Sequence, residues 1–525
     1  RRIKEASSMA RYKPADYAQG QFIPVSFEKQ ILPGSFEHAV NFVVDEKLDF
    51  SILDEIRAND IVGAPAYNPR VMLKIVLCAY ARGIFTSREI EAACQENVVM
   101  MALSANSRPH FTTIAQFVRE LGPVMMDLFV GVLLYCDELN LIGKEMFAID
   151  GCKFSSNASK EWSGTRAEFE KKRDKFRASV EKLVAQHRLM DKNGLPETIP
   201  GKRAREEKAI ESFKAKTAKL DAWLRANPND KMGSGGTPVK SSMTDGDSAK
   251  MASSRGVIQG YNGLAMVDSK HQIIVGAEAF GKAHEAAAFE PMLEQVRETF
   301  KKLKEEDIYR KAKVCADSGF HTEESMKMLS EKAIDAYVPD KLFRKRDSAF
   351  ETAAQHKSFK ALIGRVAAKK KFFSADEFVF NLENGKLTCP AGNELYTKDR
   401  NFKTANGYYG TQYMAKKTDC RVCELRSQCL RKPGSPARTV FKVDGRGPQE
   451  TFSKKMIRKL ESELGRFLYG MRMGIVEPVF ANLRHMMGLD RFTLRGKAKV
   501  NVQWLLFAVV HNIHKAQRFG FAGAG

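Results

Sequence analysis

The chain has no apolar run of the ~20 residues that a membrane-spanning helix requires. Its two richest stretches, residues 124–136 and 504–510, are broken by Asp127 and closed by His511. The opening segment RRIKEASSMARYKP has none of the apolar core of a secretory signal, which speaks against export. Met9 is the expected natural start, with residues 1–8 an extraneous or upstream segment. Cysteine is sparse and odd in number, nine in all. Without a secretion signal this argues for a reduced cytoplasm rather than a disulfide framework. Acidic residues are outnumbered, 63 against 85 Lys+Arg, for a net charge of +22. That excess points to a polyanion, nucleic acid before an anionic membrane surface; a merely soluble basic protein is the bland alternative. Apolar residues make up 43% of the chain, which excludes global disorder. At ~150 residues per domain, the 525 residues imply three or four domains.

From Asn68 the pattern is helical, with Val71, Leu73, Ile75, Val76 and Leu77 forming an apolar stripe. Thr86 or Ser87 is the expected N-cap of the next helix, and Thr112 or Thr113 that of a further one before Ile114, Phe117 and Val118. Two short helices with a polar break fit a helix-turn-helix-like unit, although short helix pairs occur in any α-domain. MFAID, residues 146–150, reads as a buried strand ending in an acid. Beyond it, Phe169, Phe176, Val180, Leu183, His187 and Met190 recur at heptad spacing, as do Ile210, Phe213, Thr217, Leu220 and Leu224. This predicts an antiparallel coiled-coil hairpin over 166–226. Residues 227–256 read as a loop. Two strands follow, VIQGYNGLAMVD and HQIIVGAEAF, then a helix over 284–305, a strand in KAKVCADSG, a helix over 323–332 and a short strand in DAYVPD. That order is α/β with a mixed sheet. Residues 341–450 break the pattern: they are basic in KLFRKR and in AAKKKFF, which holds Lys369, Lys370 and Lys371, and they carry four clustered cysteines. Residues 451–517 are helical again.

Two constellations carry chemistry. Cys389, in a CPAG turn, and Cys420-x2-Cys423-x5-Cys429 suit a tetrahedral structural zinc site, with Lys416, Lys417, Arg421, Arg426 and Arg431 nearby to favour thiolates; four free thiols in a loop-rich insert are the alternative. Asp150 and Asp317 each end an apolar strand with Gly close behind, which projects them at the C-terminal edge of a sheet. Glu477 heads an amphipathic helix in RMGIVEPVFANLRH. Two Asp and one Glu converging on a point would hold two Mg²⁺ ions. Spacing alone does not select this trio from 63 acids. Asp245 and Asp247, in a Gly/Ser-rich loop, compete as ligands but do not end an apolar strand. His284, on the helix after the hairpin, is a candidate for a place near the metals, with a surface helix residue the favoured alternative.

Four segments, FAIDGCKFSSNASKEWSGT, SSRGVIQGYNGLAMVDSKHQIIVGAEAF, VCADSGFHTEESM and YGMRMGIVEPVFANLRH, followed by RFTLRGKAKVNVQWLLFAVVHNIHK, resemble the DDE transposases of bacterial insertion sequences, in the eleven-eighty-two branch. The resemblance covers most of the chain. It implies an α/β RNase H-like core, a mixed five-stranded sheet with helices, split by two inserts. Residues 1–140 are then an all-α, helix-turn-helix-like DNA-binding domain, 141–165 the first part of the core, 166–226 the helical hairpin insert and 227–340 the core continued. Residues 341–450 are a basic, zinc-ribbon-like four-cysteine insert and 451–525 the C-terminal helical part of the core. By motif, Asp150, Asp317 and Glu477 are the catalytic acids and hold Mg²⁺, with Mn²⁺ a substitute. Related enzymes carry Tyr-x2-Arg-x3-Glu-x6-Lys; here Tyr469-x2-Arg472 holds, four residues separate Arg472 from Glu477, and Arg484 stands for the Lys. Lys153, Tyr469, Arg472, Arg484 and Lys369–Lys371 are the candidate DNA contacts, with Trp162 a candidate for stacking on an unpaired base or for covering a core edge.

The implied activity is cleavage at terminal inverted repeats and joining of the 3′-OH to target DNA, by a homodimer or larger assembly on double-stranded DNA in the bacterial cytoplasm, at the nucleoid. The competing readings are an RNase H-like nuclease without strand transfer, an inactive domesticated transposase acting as a DNA-binding regulator, and a zinc-dependent nucleic-acid chaperone.

Overall fold

The computed structural model describes residues 24–55, 65–193, 201–233, 236–253, 256–282, 284–347, 372–381, 384–404, 408–432, 434–443 and 450–520. Six strands form one mixed sheet: β1 Met146–Ser155, β2 Ala249–Ser253, β3 Gly256–Asp268, β4 Ile274–Phe280, β5 Lys313–Ala316 and β6 Ala336–Tyr337. The spatial order is β6-β5-β1-β3-β2, with β4 also pairing β3. β1, β5 and β6 are mutually parallel, while β3 runs antiparallel to β1, β2 and β4. The expected sheet had five strands. The sixth, β2, lies in the stretch read as a loop because only Met251 of its side chains is buried, so no apolar alternation marks it.

The helices that pack on this sheet come from both flanks of the chain. Helix Pro69–Ala81 starts where Asn68 accepts a bond from the Arg70 N–H and Pro69 fills the first position, and it is buried from Met72 through Tyr80. Thr86 caps helix Ser87–Glu96 as expected. Helix Phe111–Glu120 is capped by His110 Nδ1 instead of Thr112 or Thr113; Thr112 lies inside the first turn and bonds His110 through its hydroxyl. Helix Lys497–Gly520 is buried nearly all round. Trp504 Nε1 donates to Leu264 O at 2.9 Å, and the Asn512 amide clasps the β4 backbone at Ile274 through both its groups. The N-terminal helices, the sheet and the C-terminal helices thus share one continuous core. Truncating a fully buried member such as Leu506 to Ala is expected to cost about 3 kcal/mol.

Helices Arg166–Lys192 and Lys202–Ala226 pair along their length. Phe169 meets Trp223, Phe176 stacks on Phe213, and His187 reaches Glu206 at 2.7 Å. Of the residues at heptad spacing, only Phe169, Ile210, Leu220 and Leu224 are fully buried, so the seam is thin. The region 372–443 holds a separate five-stranded antiparallel sheet around Phe378, Leu387, Leu395, Tyr413 and Val440, which charged, weakly alternating strands hid from the sequence reading. Among the described residues no helix is long and apolar enough to cross a membrane.

Candidate active site

β1 and β5 are parallel with Ile149 opposite Ala316. Asp317 directly follows β5 as expected, whereas Asp150 does not end its strand: β1 continues to Ser155, held past Ile149 by its antiparallel pairing with β3. Parallel register therefore sets Asp150 and Asp317 beside one another at the edge where α/β sheets gather ligands. Asp150 Oδ1 accepts the Gly151 N–H at 2.8 Å, and Oδ2 pairs with the Arg472 guanidinium at 2.9 Å. Arg472 is buried, and its Nε points at Ile149 O, 3.4 Å away. Burial pushes the Asp150 carboxyl above its ordinary range; Arg472 and the Gly151 N–H oppose that, and Asp317 adds to it.

A third carboxylate belongs to this edge. Glu285 directly precedes helix Ala286–Lys302, and its side chain makes no cap bond to that helix. It turns instead to Asn262 on β3, whose Nδ2 donates to Glu285 Oε1 at 3.3 Å. Burial raises the Glu285 carboxyl, Lys153 counters it, and Asp317 and Asp150 raise it further. The sequence reading weighed His284, which is exposed, and passed over its neighbour. The available signal was position: Glu285 is the first acid beyond β4.

Cations frame the same place. Lys153 follows Asp150 by three residues on β1, and lines a cleft of about 400 Å³ with Glu285, Arg484 and Asp490. Arg484 sits in a π-helical turn, Asn482–Met486, a local distortion common at functional sites. Its Nη1 lies 3.6 Å from Cys152 Sγ, and its Nε is buried without a hydrogen-bond partner. Tyr469, one turn before Arg472, has its hydroxyl pushed up by burial, with Arg472 opposing and Asp317 and Asp150 adding.

Glu477 does not join them. Arg472, Ile475, Val476 and Val479 form the buried face of helix Glu463–Ala481, and Glu477 is exposed. At 3.6 residues per turn, a step of five leaves Glu477 about 140° around the helix from Arg472. A step of four would leave an acid about 40° away, at the position Val476 holds. Trp162 is half-buried against Phe169, Leu220 and Leu224, and Lys172 lies 4.4 Å above its ring. Asp245 and Asp247 accept the Gly496 and Lys497 N–H groups, at the start of helix Lys497–Gly520. Lys369, Lys370 and Lys371 lie outside the described residues.

Cys389, Cys420, Cys423 and Cys429 line one small cavity of the insert. Burial raises the Cys429 thiol, Arg438 opposes this, and the other three thiols add to the rise. Among the described residues, as the side chains stand, no three His, Cys, Asp or Glu groups are close enough together to hold a metal ion.

Two family models match the chain. Residues 25–120 match one described as Transposase domain (DUF772), and residues 388–517 one described as Transposase DDE domain. The first match lies in the N-terminal helices. The second runs from the four-cysteine insert through the helix bearing Arg472 and Glu477, and does not reach Asp150 or Asp317. No curated protein matches. The two matches together are typical of bacterial insertion-sequence transposases.

Proposed function

We propose that this chain, which belongs to the DDE transposases of bacterial insertion sequences, cuts double-stranded DNA at the terminal inverted repeats of its element and joins the freed 3′-OH to target DNA. The observation that carries this reading is the placement of Asp150 on β1 and Asp317 just past β5, where the parallel pairing of these strands stops, with Arg472 paired to Asp150. The donor set fits hard divalent cations. It consists of carboxylate oxygens at one sheet edge, and at Asp150 burial and the neighbouring Asp317 work against the charged form, so a cation there relieves both effects. Asp150 and Asp317 would hold Mg²⁺, with Mn²⁺ a substitute, and Glu477 is the acid the resemblance adds to that set. Bound there, a metal pair supplies charge neutralisation on the phosphodiester and a nucleophile at neutral pH.

The remaining roles belong to the chain itself. Arg472 orients Asp150 through its ion pair. Lys153 and Arg484, on the walls of the cleft, hold backbone phosphates, and Arg484 does so with a fork suited to bidentate contact. The N-terminal helices, Tyr469 and the Lys369–Lys371 run take the flanking duplex. Trp162 is held for the helical hairpin by its packing, which weighs against base stacking. Cys389, Cys420, Cys423 and Cys429 would hold a structural zinc ion as thiolates. Two copies act together in the bacterial cytoplasm, one at each DNA end.

The test is strand cleavage and joining on a DNA fragment carrying the gene's own flanks, in Mg²⁺, with Asp317→Asn as control and products mapped to the nucleotide. Cuts at paired inverted repeats with strand transfer, both lost in the variant, are expected. Cuts without joining would replace the reading with a nuclease. DNA binding with no cuts in any divalent metal would replace it with a regulator.

A further inference from the structure

The carboxylate of Glu285 is set toward the Asp150–Asp317 edge by three independent features. It starts a helix of 17 residues without capping it, so its own backbone makes no claim on the side chain. Asn262, 1% exposed on the central strand, donates to Glu285 Oε1 at 3.3 Å. On the opposite side the chain passes so close at Gly319, two residues after Asp317, that a Cβ built there would fall 2.2 Å from Glu285 Oε2. A residue other than glycine at 319 would push the carboxylate away.

A second observation points to a ligand. Asn262 Oδ1 is buried without a hydrogen-bond partner. It faces Gly151, next to Asp150, where a built Cβ would fall 2.8 Å from it. A buried amide oxygen left unpaired is destabilising unless something fills its lone pairs. Asn262 Oδ1 thus borders the chain beside Asp150 and Glu285 the chain beside Asp317, and a hard cation drawn in here, or its bound water, would satisfy these acceptors together.

We infer that Glu285 is a carboxylate ligand of the Asp150–Asp317 metal centre, held in place by Asn262, on the side of the sheet opposite the helix that supplies Arg472. The inference rests on the proposed reading of that centre. Glu285 comes to this edge from the start of the helix after β4, in addition to the acid that the resemblance supplies.

The experiment is Mn²⁺ binding to the full chain without DNA, followed by the loss of the free-ion electron paramagnetic resonance signal, with a parallel strand-cleavage assay. Glu285→Gln should weaken Mn²⁺ binding at least tenfold, as expected for a change at a metal site. Glu285→Asp, which keeps the charge at shorter reach, should fall between Glu285→Gln and the unaltered protein. This ordering keeps the inference testable if Gln impairs folding. Glu285→Cys should cleave poorly in Mg²⁺ and recover in Mn²⁺, a metal switch that loss of a packing contact does not produce. Unaltered Mn²⁺ affinity in Glu285→Gln, with binding lost in Asp150→Asn, would overturn this inference alone. Unaltered binding in Asp150→Asn and Asp317→Asn would overturn the reading of the centre itself.

Discussion

Asp150, Glu285, Asp317 and Arg472 come from four elements spread across the chain, whereas Cys389 follows one strand of the small sheet and Cys420, Cys423 and Cys429 come from two short helices and the link between them. The acid edge is built by the core: parallel register places its aspartates, and at Asp150 burial and the nearby Asp317 work against the charge that Arg472 pairs with. The cysteine cavity borders a local core of Phe378, Leu387, Leu395, Tyr413 and Val440. The difference teaches that one region depends on the whole fold for its geometry, and the other on a short stretch of chain. The two regions should therefore fail separately.

The largest effect belongs to the acid edge. Asp317→Asn should abolish strand cleavage by orders of magnitude while DNA binding, read by gel shift, stays near that of the unaltered protein. Loss of binding together with cleavage would mean that the edge organises the fold rather than the chemistry. Next, chelation of zinc or Cys420→Ser should loosen the insert, seen as proteolysis within 372–443. The acid edge should keep its Mn²⁺ affinity. If chelation also strips that affinity, the two regions are not separable.

A smaller effect follows from the ion pair. Arg472→Ala leaves Asp150 without its buried partner and should cost about 2 kcal/mol, less than a fully buried pair because Asp150 keeps some access to water. A denaturant titration reads it, and Asp150→Asn in the same background should recover part of the loss. Acid should separate the regions most gently. His511 is fully buried against Gln272 O and Asn482, and burial pulls its pKa from 6.5 down to about 3. A histidine with a depressed folded pKa binds its proton more readily unfolded, so the stability it confers is present above pH 6.5 and lost as pH falls toward 3. His514, stacked on Phe36, is lowered in the same direction. Residues 372–450 contain no histidine. The core should thus weaken between pH 7 and pH 5 ahead of the insert, and His511→Gln should flatten that slope in denaturant titrations.

What the sequence disclosed follows the same division. The cysteine cluster was legible because its members are close in the chain, so spacing alone carries the signal. Asp150 and Asp317 were legible because each follows a buried apolar run. Asn262 was not: a polar residue inside a strand buried on both faces reads as an interruption until its partner across the sheet is known. Glu285 sits beyond β4 in a polar stretch that any surface turn could have. Residues 451–517 were foreseen as helical, but Glu477 was expected to head a helix and instead lies near the end of Glu463–Ala481, whose buried face was not foreseen. An extra residue between Arg472 and Glu477 rotates the acid outward, and only the pattern of buried neighbours reveals that. The His110 cap escaped because hydroxyl and carboxylate caps are the stronger expectation.

The contact between Arg472 and the strand carrying Asp150 joins residues 323 apart in the chain. A ribosome adding roughly 5–20 residues per second needs on the order of half a minute to make both. Through that interval a nascent chain carries the first aspartate with neither its buried counter-charge nor its partner acids in place. The paired acid edge therefore arrives late in synthesis and all at once. A truncated product that stops before Arg472 would still carry the N-terminal helices matched to a transposase domain. Such a fragment would lack the assembled centre, and so act as a natural competitor of the complete protein wherever those helices suffice to bind.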